Sequence, residues 1–201
     1  PQWLLAVDCG TTSVREIAAL RRRGVDVIVL DHHEPGAERP DCVALVNPKC
    51  GAEFHYLCSA GVVFKLAHAI LKALPLEGLD LKEYLDLVAL ATVADIVPLV
   101  EENRIFVSHG LRQMERTRWA GLAALQRVAD VPTPVKAGDI SFRMGPRINA
   151  AGRLGPAMEA LQLLLADDPV EASRLAEGLD AHNRERQGVE RHAVSYTHLR
   201  A

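Results

Sequence analysis

Two short apolar runs of β-strand type, separated by one amphipathic segment, each end directly in a carboxylate. The first run, residues 3–7, stops at Asp8-Cys9-Gly10, and the second, residues 25–30, stops at Asp31-His32-His33. Strands that alternate with helices favour a parallel sheet with right-handed crossovers, whose carboxyl strand ends meet at one edge. Open α/β sheets carry their ligands and their chemistry outside that edge. The sequence therefore predicts an α/β fold with Asp8 and Asp31 on the same side of the sheet.

Local signals place the elements between and after these runs. Ser13 and Glu16 have the spacing of a capping box, which predicts a helix from Ser13 to about Arg22, and Gly24 ends it. A third strand is predicted over 43–46. Apolar residues at helical spacing predict further helices at 59–74, 82–94, 103–116, 122–128, 158–166 and 169–191. The predicted fold is a parallel sheet with flanking helices, followed by a helical segment.

Composition excludes several classes of protein. The net charge of −3 argues against a globally basic nucleic-acid coat, but it is compatible with a local basic track. The four cysteines include no CxxC pair, which argues against a structural zinc site and indicates reduced thiols. No apolar run reaches the ~18 residues that span a bilayer. With no visible signal peptide, these features predict a cytoplasmic protein.

A third carboxylate, Asp95, lies in the apolar stretch 87–99, where a buried charge needs a partner or a metal. Two divalent cations held close together need several carboxylates, one of them bridging, and open positions for water and substrate. Imidazole beside carboxylate favours Mn²⁺ over a purely oxygen-liganded Mg²⁺ or Ca²⁺ site. The residues of the right type are Asp8, Asp31, His32, His33 and Asp95. Structural alternatives stay open: a solvated turn at 31–33, an N-cap or Asx turn at Asp8, and a helix end at Asp95.

A second cluster, residues 143–153, combines three arginines and an asparagine with small residues that expose the backbone. Guanidinium forks and backbone N–H groups bind phosphate oxygens, so this stretch is a candidate phosphate-binding loop. The alternative is an ordinary solvated loop.

Four segments resemble, in order, successive motifs of the DHH phosphoesterase family. They are Asp8-Cys9-Gly10, Asp31-His32-His33, residues 91–99 and residues 145–153. The last segment, with residues 179–187 after it, resembles the RecJ branch of that family in particular. That branch degrades single-stranded DNA from 5′ ends. The resemblance runs from Trp3 to about Arg191, and the order and combination of the motifs make it specific.

The resemblance implies a role for each residue at the strand ends. Asp8 would bridge two metal ions, Mn²⁺ or Mg²⁺, and His32 and Asp95 would each bind one of them. Asp31 and His33 would serve catalysis, Asp31 by supporting the centre and His33 by contacting the scissile phosphate. The metals would stabilise the charge on the attacking and leaving oxygens.

The resemblance also implies the substrate and the setting. Arg147, Asn149 and Arg153 would lie against the backbone of single-stranded DNA near the cut. The activity would serve DNA repair and recombination, with helicase or single-strand-binding-protein partners. Two alternatives remain: another DHH phosphoesterase acting on short RNA or cyclic dinucleotides, and a non-catalytic DHH-fold binding module. The 145–153 motif argues against the first, and the metal-ligand residue types argue against the second.

The resemblance further implies that the chain is an internal piece of a longer enzyme. The family's aspartate-rich first motif would lie before Pro1, and its substrate-gripping domain would follow. Residues 1–100 would form a partial DHH core, and 101–191 the helical remainder and the start of a connector helix. Residues 192–201 would be a foreign tail, since 194–201 have poorer helix propensity. We therefore expect little or no nuclease activity from this chain alone.

Overall fold

A three-stranded parallel sheet organises the first part of the chain. The computed structural model describes residues 2–154 and 157–198, with side chains described for 2–150 and 157–189. The strands are β1 (Gln2–Val7), β2 (Val25–Leu30) and β3 (Ala44–Val46), in the order β1-β2-β3 with both pairs parallel. The predicted parallel α/β sheet is confirmed, and β3 begins one residue later than predicted.

The chain divides into two compact units, Pro1–Gly110 and Leu111–Ala201. Helices of the first unit are α1 (Val14–Arg22), α2 (Ser59–Ala73), α3 (Leu85–Ala94) and most of α4 (Glu101–Met114). A 3₁₀ turn at Leu81–Tyr84 replaces the predicted first turn of α3. The boundary predicted after residue 100 stays a prediction. Over residues 2–154 and 157–198, no helix is both long and apolar enough to cross a membrane.

β2 is the central, buried strand of the sheet. Val27 and Val29 are 0% exposed and pack with Ile17 of α1 on one face. Leu30 is 1% exposed and packs with Leu57 on the other face. Successive side chains of a strand point to opposite faces, so a strand that is apolar on both faces needs cover on both sides. This burial fixes the register, and with it the place where the polar residues after β2 emerge.

β1 has the same apolar character but lies at an edge of the described sheet. Trp3 is 66% exposed and Leu5 is 44% exposed. β1 pairs with β2 on one side, in a register that sets Val7 beside Leu30. Strands of parallel sheets are usually covered on both faces. β1 therefore presents an apolar strand edge to its surroundings.

The second unit is helical. Its elements are α5 (Ala120–Val128), α6 (Ala137–Asp139), a π-helical turn (Ile140–Met144), α7 (Gly145–Leu154), α8 (Met158–Leu165) and α9 (Pro169–His198). Gly121 of α5 lies so close to α8 that a Cβ atom there would meet the Leu163 carbonyl oxygen at 1.7 Å. Leu122 and Leu125 are fully buried, so α5 forms part of this unit's core.

The expectation of a loop over residues 143–153 is wrong, because that stretch is the π-helical turn and α7. Met144 and Ala150 are fully buried, and Gly145 is buried too. The small residues that suggested exposed backbone instead allow close packing of a helix. Sequence composition could not separate these two uses of small side chains.

Two further local expectations are corrected. Ser13 does occupy the N-cap of α1, but its side chain makes no capping hydrogen bond, so the capping box is wrong. Its ψ of 53° is far from the extended conformation that aims a cap hydroxyl at the helix. The last helix was predicted over 169–191, yet α9 continues to His198. Adding residues to an existing helix needs no new nucleus, so weak propensity does not end it.

Candidate metal centre

Three turns bring carboxylate and imidazole groups together at the carboxyl edge of the sheet. Asp8 follows β1, Asp31-His32-His33 follows β2, and Asp95 is the C-cap of α3. The parallel pairing makes the turns after β1 and β2 neighbours, and the Asp8 backbone N–H donates to the Leu30 carbonyl at 2.9 Å. Asp8 and Asp31 therefore lie at one edge of the sheet, as the alternation of strands and helices predicted.

The His32 imidazole lies between two carboxylates. Its Nε2 is 3.4 Å from Asp8 Oδ1, and its Nδ1 is 3.3 Å from Asp95 Oδ2. The His32 side chain is only 13% exposed, whereas those of Asp8 and Asp95 are 64% and 40% exposed. The largely buried imidazole and the two exposed carboxylates beside it can provide nitrogen and oxygen ligands to a cation that approaches from solvent.

Asp95 was expected to be a buried charge, and this expectation is wrong. Its side chain is 40% exposed because it stands at a helix end, and the following Ile96 is 88% exposed. Asp95 nevertheless has the partner that the argument required, since it faces His32. Partial burial raises the pKa of Asp95; the charge of His32 opposes this shift and that of Asp8 adds to it. A cation bound beside both carboxylates would favour their charged forms.

Asp31 is buried inside its own turn, with 1% exposure. Its Oδ2 accepts the Thr11 N–H at 3.0 Å, and its Oδ1 accepts the N–H groups of His32 and His33 at 2.8 and 3.2 Å. Burial alone would raise the pKa of Asp31. Hydrogen bonds from Thr11, His33 and His32 outweigh burial, and they hold that pKa well below its ordinary value. Asp31 is therefore an ionised carboxylate whose oxygens accept hydrogen bonds from the backbone around it and stabilise the turn.

His33 is oriented by Asp31. Its Nδ1 lies 2.7 Å from Asp31 Oδ1, and an ionised carboxylate can only accept, so Nδ1 carries the proton. The same hydrogen bond raises the pKa of His33, against a smaller opposing effect of burial. The ring is 59% exposed, and Nε2 is left as its acceptor. This is the arrangement by which a carboxylate usually orients a functional imidazole.

Three of these side chains meet the spacing of a metal site. Asp8, His32 and His33 each offer one ligand atom, and these atoms lie within 4.8 Å of one another. A mixed carboxylate and imidazole donor set suits Mn²⁺. His33, which sequence reasoning placed against phosphate, is thus also within reach of a cation. Asp95 joins the cluster through its contact with His32.

The turn after β1 depends on left-handed backbone at two positions. Asp8 has φ of +63°, which aspartate tolerates better than most residues because its short side chain can bond locally. Gly10 has φ of +112°, and a Cβ there would meet Val29 Cγ1 at 3.0 Å. The glycine of Asp8-Cys9-Gly10 is therefore required both by conformation and by contact with the central strand.

The residues predicted to contact nucleic acid lie in the second unit. Arg147 is largely buried at 17% exposure, and its Nε donates to Asp180 Oδ1 at 2.9 Å. Its Nη1 donates to the Arg143 carbonyl at 2.6 Å. Asn149 is exposed on α7, and Arg153 is on α7 with a side chain outside the described ones. α7 thus displays Asn149 while Arg147 ties this helix to α9.

Sequence reasoning missed three residues that shape these sites. The Thr11 N–H donates to Asp31 Oδ2. Asn47, directly after β3, donates to Thr11 and to the His33 carbonyl. Asp180 lies within the 179–187 motif but was given no role, and it pairs with Arg147 and Arg184. In the sequence, these three residues are distinguished only as polar residues in or beside a motif or a strand end.

A family model described as the DHH family, N-terminal domain, matches residues 2–92. Residues 2–92 are therefore similar to the N-terminal domain of the DHH family. The match spans the turns after β1 and β2 and ends three residues before Asp95. The matched residues include the parallel sheet and the Asp31-His32-His33 turn.

Similarity to RecJ proteins extends beyond the DHH domain. The chain is 42% identical over 189 residues to the single-stranded-DNA-specific exonuclease RecJ of Bacillus subtilis (strain 168), covering 92% of this chain and 23% of that protein. It is 42% identical over 187 residues to the Thermus thermophilus RecJ of the same description, covering 92% and 27%. Across the RecJ proteins matched at 37–42% identity, the chain spans about a quarter to a third of their length.

Solved structures share the fold. A crystal structure of RecJ in complex with Mn²⁺ from Thermus thermophilus matches with a TM-score of 0.89 at 40% identity, over 97% of this chain and 30% of that one. A RecJ structure with Mg²⁺ from the same source matches with a TM-score of 0.78 at 36% identity, over 97% of this chain and 27% of that one. This chain is therefore similar to these RecJ structures in fold as well as in sequence.

Proposed function

We propose that this chain is the central part of the catalytic core of a RecJ-like exonuclease. The intact enzyme would be a metal-dependent phosphodiesterase that degrades single-stranded DNA from the 5′ end. The observation that carries the proposal is the convergence of Asp8, His32 and Asp95, from three separate segments, on one edge of the sheet. The similarity to RecJ proteins over most of the chain favours this function over a short-RNA or cyclic-dinucleotide phosphodiesterase and over a binding module.

The donor set fits divalent cations. Asp8, with its exposed carboxylate beside His32, would bridge two ions of Mn²⁺ or Mg²⁺, and His32 and Asp95 would each hold one. When bound, such ions activate water and stabilise charge on the attacking and leaving oxygens. Asp31 would keep the turn in place, and the protonated His33 ring would donate from Nε2 to the scissile phosphate.

The second unit would hold the substrate. Asn149, exposed on α7, and Arg153 would lie along the phosphate backbone. Arg147 would contribute through its guanidinium while its Nε hydrogen bond to Asp180 fixes the helix. Arginine suits both tasks because its five donors lie in a rigid fork.

The setting of the enzyme follows from the same family relation. We place it in the cytoplasm, in DNA repair and recombination, with a helicase or a single-strand-binding protein as partner. Residues 1–100 would be part of the DHH core, 101–191 its helical remainder and the start of a connector helix, and 192–201 a tail foreign to the family.

Mn²⁺ titration by calorimetry tests the metal centre on this chain. Asp8→Asn removes one charge without changing shape, and we expect it to weaken Mn²⁺ binding at least about tenfold. Asp26→Asn is the matched control, since Asp26 pairs with Arg21 at the opposite end of β2. Equal Mn²⁺ affinity in all three proteins would contradict the site.

A nuclease assay tests the completeness of the centre. Two carboxylates with one or two imidazoles supply few ligands for a two-ion site, so the 201-residue chain should show little or no activity on single-stranded DNA. Robust Mn²⁺-dependent degradation by the chain would show that the described cluster suffices.

A further inference from the structure

Asn47, directly after β3, contacts the turn that carries Asp31 and His33. Its Nδ2 group donates to the His33 carbonyl and to Thr11 Oγ1, both at 2.9 Å. Its Oδ1 accepts the Lys49 N–H at 2.9 Å. Asn47 is 7% exposed, so a buried amide has all of its polar atoms engaged with three different parts of the chain. Such an amide fixes the positions of these parts relative to one another.

Thr11 connects Asn47 to Asp31 through hydrogen bonds. Thr11 is 2% exposed, and its Oγ1 accepts from Asn47, so its own hydroxyl hydrogen is available to Asp31. The Thr11 N–H donates to Asp31 Oδ2 at 3.0 Å, and the Thr11 side chain also helps to lower the pKa of Asp31. Donation therefore runs in one direction, from Asn47 to Thr11 to the Asp31 carboxylate, which also accepts from His33 Nδ1.

A capping role alone does not account for Asn47. The cap of the 3₁₀ turn Pro48–Cys50 uses only Oδ1, while Nδ2 donates to the His33 carbonyl in the Asp31 turn and to Thr11 after β1. Two more contacts join the same segments: the Asp31 N–H donates to the Val46 carbonyl at 3.0 Å, and Lys49 Nζ lies 2.8 Å from Glu34 Oε1. The end of β3 therefore holds the Asp31 turn at several points.

We infer that Asn47 and Thr11 are positioning residues for His33. They hold the Asp31 carboxylate where it keeps a proton on His33 Nδ1, which leaves Nε2 as the ring atom for the phosphate contact. Nε2 donates to a phosphate oxygen when the ring is protonated. The phosphate contact rests on the proposed function, whereas the tautomer rests on hydrogen bonds within this chain.

Long-range ¹H–¹⁵N spectra of the histidine rings in the metal-free 201-residue chain at pH 9 test the inference. The His33 signals are assigned by their loss in His33→Gln. The wild-type ring should show the Nδ1–H tautomer alone. Thr11→Val keeps the side-chain shape but removes the hydroxyl, and we expect a mixture of both tautomers. Thr11→Ser keeps the hydroxyl and should restore the single tautomer.

Asn47→Ala gives a second, independent variant, and it should also mix the tautomers. If Thr11→Val fails to fold, the comparison of Asn47→Ala with Thr11→Ser decides. An Nε2–H tautomer in the wild type, or unchanged spectra in both Thr11→Val and Asn47→Ala, would overturn the inference. Because these spectra involve neither metal nor DNA, a chain that passes this test and binds no Mn²⁺ would refute only the proposed function.

Discussion

The buried Asp180 carboxylate accepts hydrogen bonds from two arginines, so the stabilising effects of the two ion pairs can be compared. The Asp180 side chain is 5% exposed and accepts from Arg147, which is 17% exposed, and from Arg184, which is 77% exposed. Removing one partner of a buried ion pair leaves an uncompensated charge and costs about 3–5 kcal/mol. We therefore expect Arg147→Ala to lower the free energy of unfolding of the second unit by about 3 kcal/mol, the low end of that range, because Arg184 remains.

The matched control is Arg184→Ala at the same carboxylate. Exposed ion pairs contribute about 0–1 kcal/mol, because solvent screens them and the side chain loses entropy on pairing. Arg147→Lys keeps the charge but loses the second donor, which binds the Arg143 carbonyl, so its loss should fall between the two alanine variants.

Urea unfolding followed by far-ultraviolet circular dichroism measures these differences. For a unit of about 90 residues, a loss of about 3 kcal/mol corresponds to a fall in melting temperature of at least about 10 °C. The reasoning is refuted if Arg147→Ala costs less than about 1 kcal/mol, or if Arg184→Ala costs as much as Arg147→Ala. The first result would leave Arg147 available for a nucleic-acid role alone, and the second would show that exposure does not separate the two arginines.

Three glycine and backbone predictions follow from local geometry, each measured by urea or thermal unfolding. Gly10→Ala should cost about 2–3 kcal/mol, from positive φ and the 3.0 Å approach to Val29, and a neutral effect would contradict the assigned turn. Gly121→Ala should lower the free energy of unfolding by about 4 kcal/mol or more, since its Cβ would meet a carbonyl oxygen at 1.7 Å. Gly178→Ala on α9, where a Cβ would meet no atom within 4 Å, should stabilise the protein slightly. Ile96→Asn should stabilise by about 0.5–1 kcal/mol, because Ile96 has φ of +58° at 88% exposure and asparagine tolerates that conformation; a loss would show that the isoleucine side chain is needed.

The strands and the placement of Asp8 and Asp31 at one sheet edge were predictable because period and position determine them. An uninterrupted apolar run such as 25–30 indicates a central parallel strand, and parallel pairing then places Asp8 beside Asp31 without any knowledge of side-chain contacts. The meeting of His32 with Asp95 was not predictable from pattern. It depends on where α3 ends relative to the sheet, about 60 residues further along the chain, and only the motif resemblance pointed to it.

The second unit was harder to predict because small residues have two uses. Gly145 and Ala150 suggested a backbone open to phosphate, but they are buried where α7 packs. Hydrogen bonds between residues far apart in the sequence could not be predicted either. Asn47 and Thr11 are 36 residues apart, and nothing local distinguishes their contact from an ordinary turn.

The exposed edge of β1 has a consequence for work with this chain. In the sheet formed by the described residues, Gln2–Val7 has one side without a partner strand, and Trp3 is 66% exposed. An exposed apolar edge of this kind can pair with other strands, and a second copy of the chain supplies one. Protein concentration thus becomes an experimental variable, and metal titrations and unfolding curves should be repeated across a concentration series. Placing a charge at the outer edge, as in Leu5→Lys, would suppress edge-to-edge pairing while leaving Asp8 and its turn untouched.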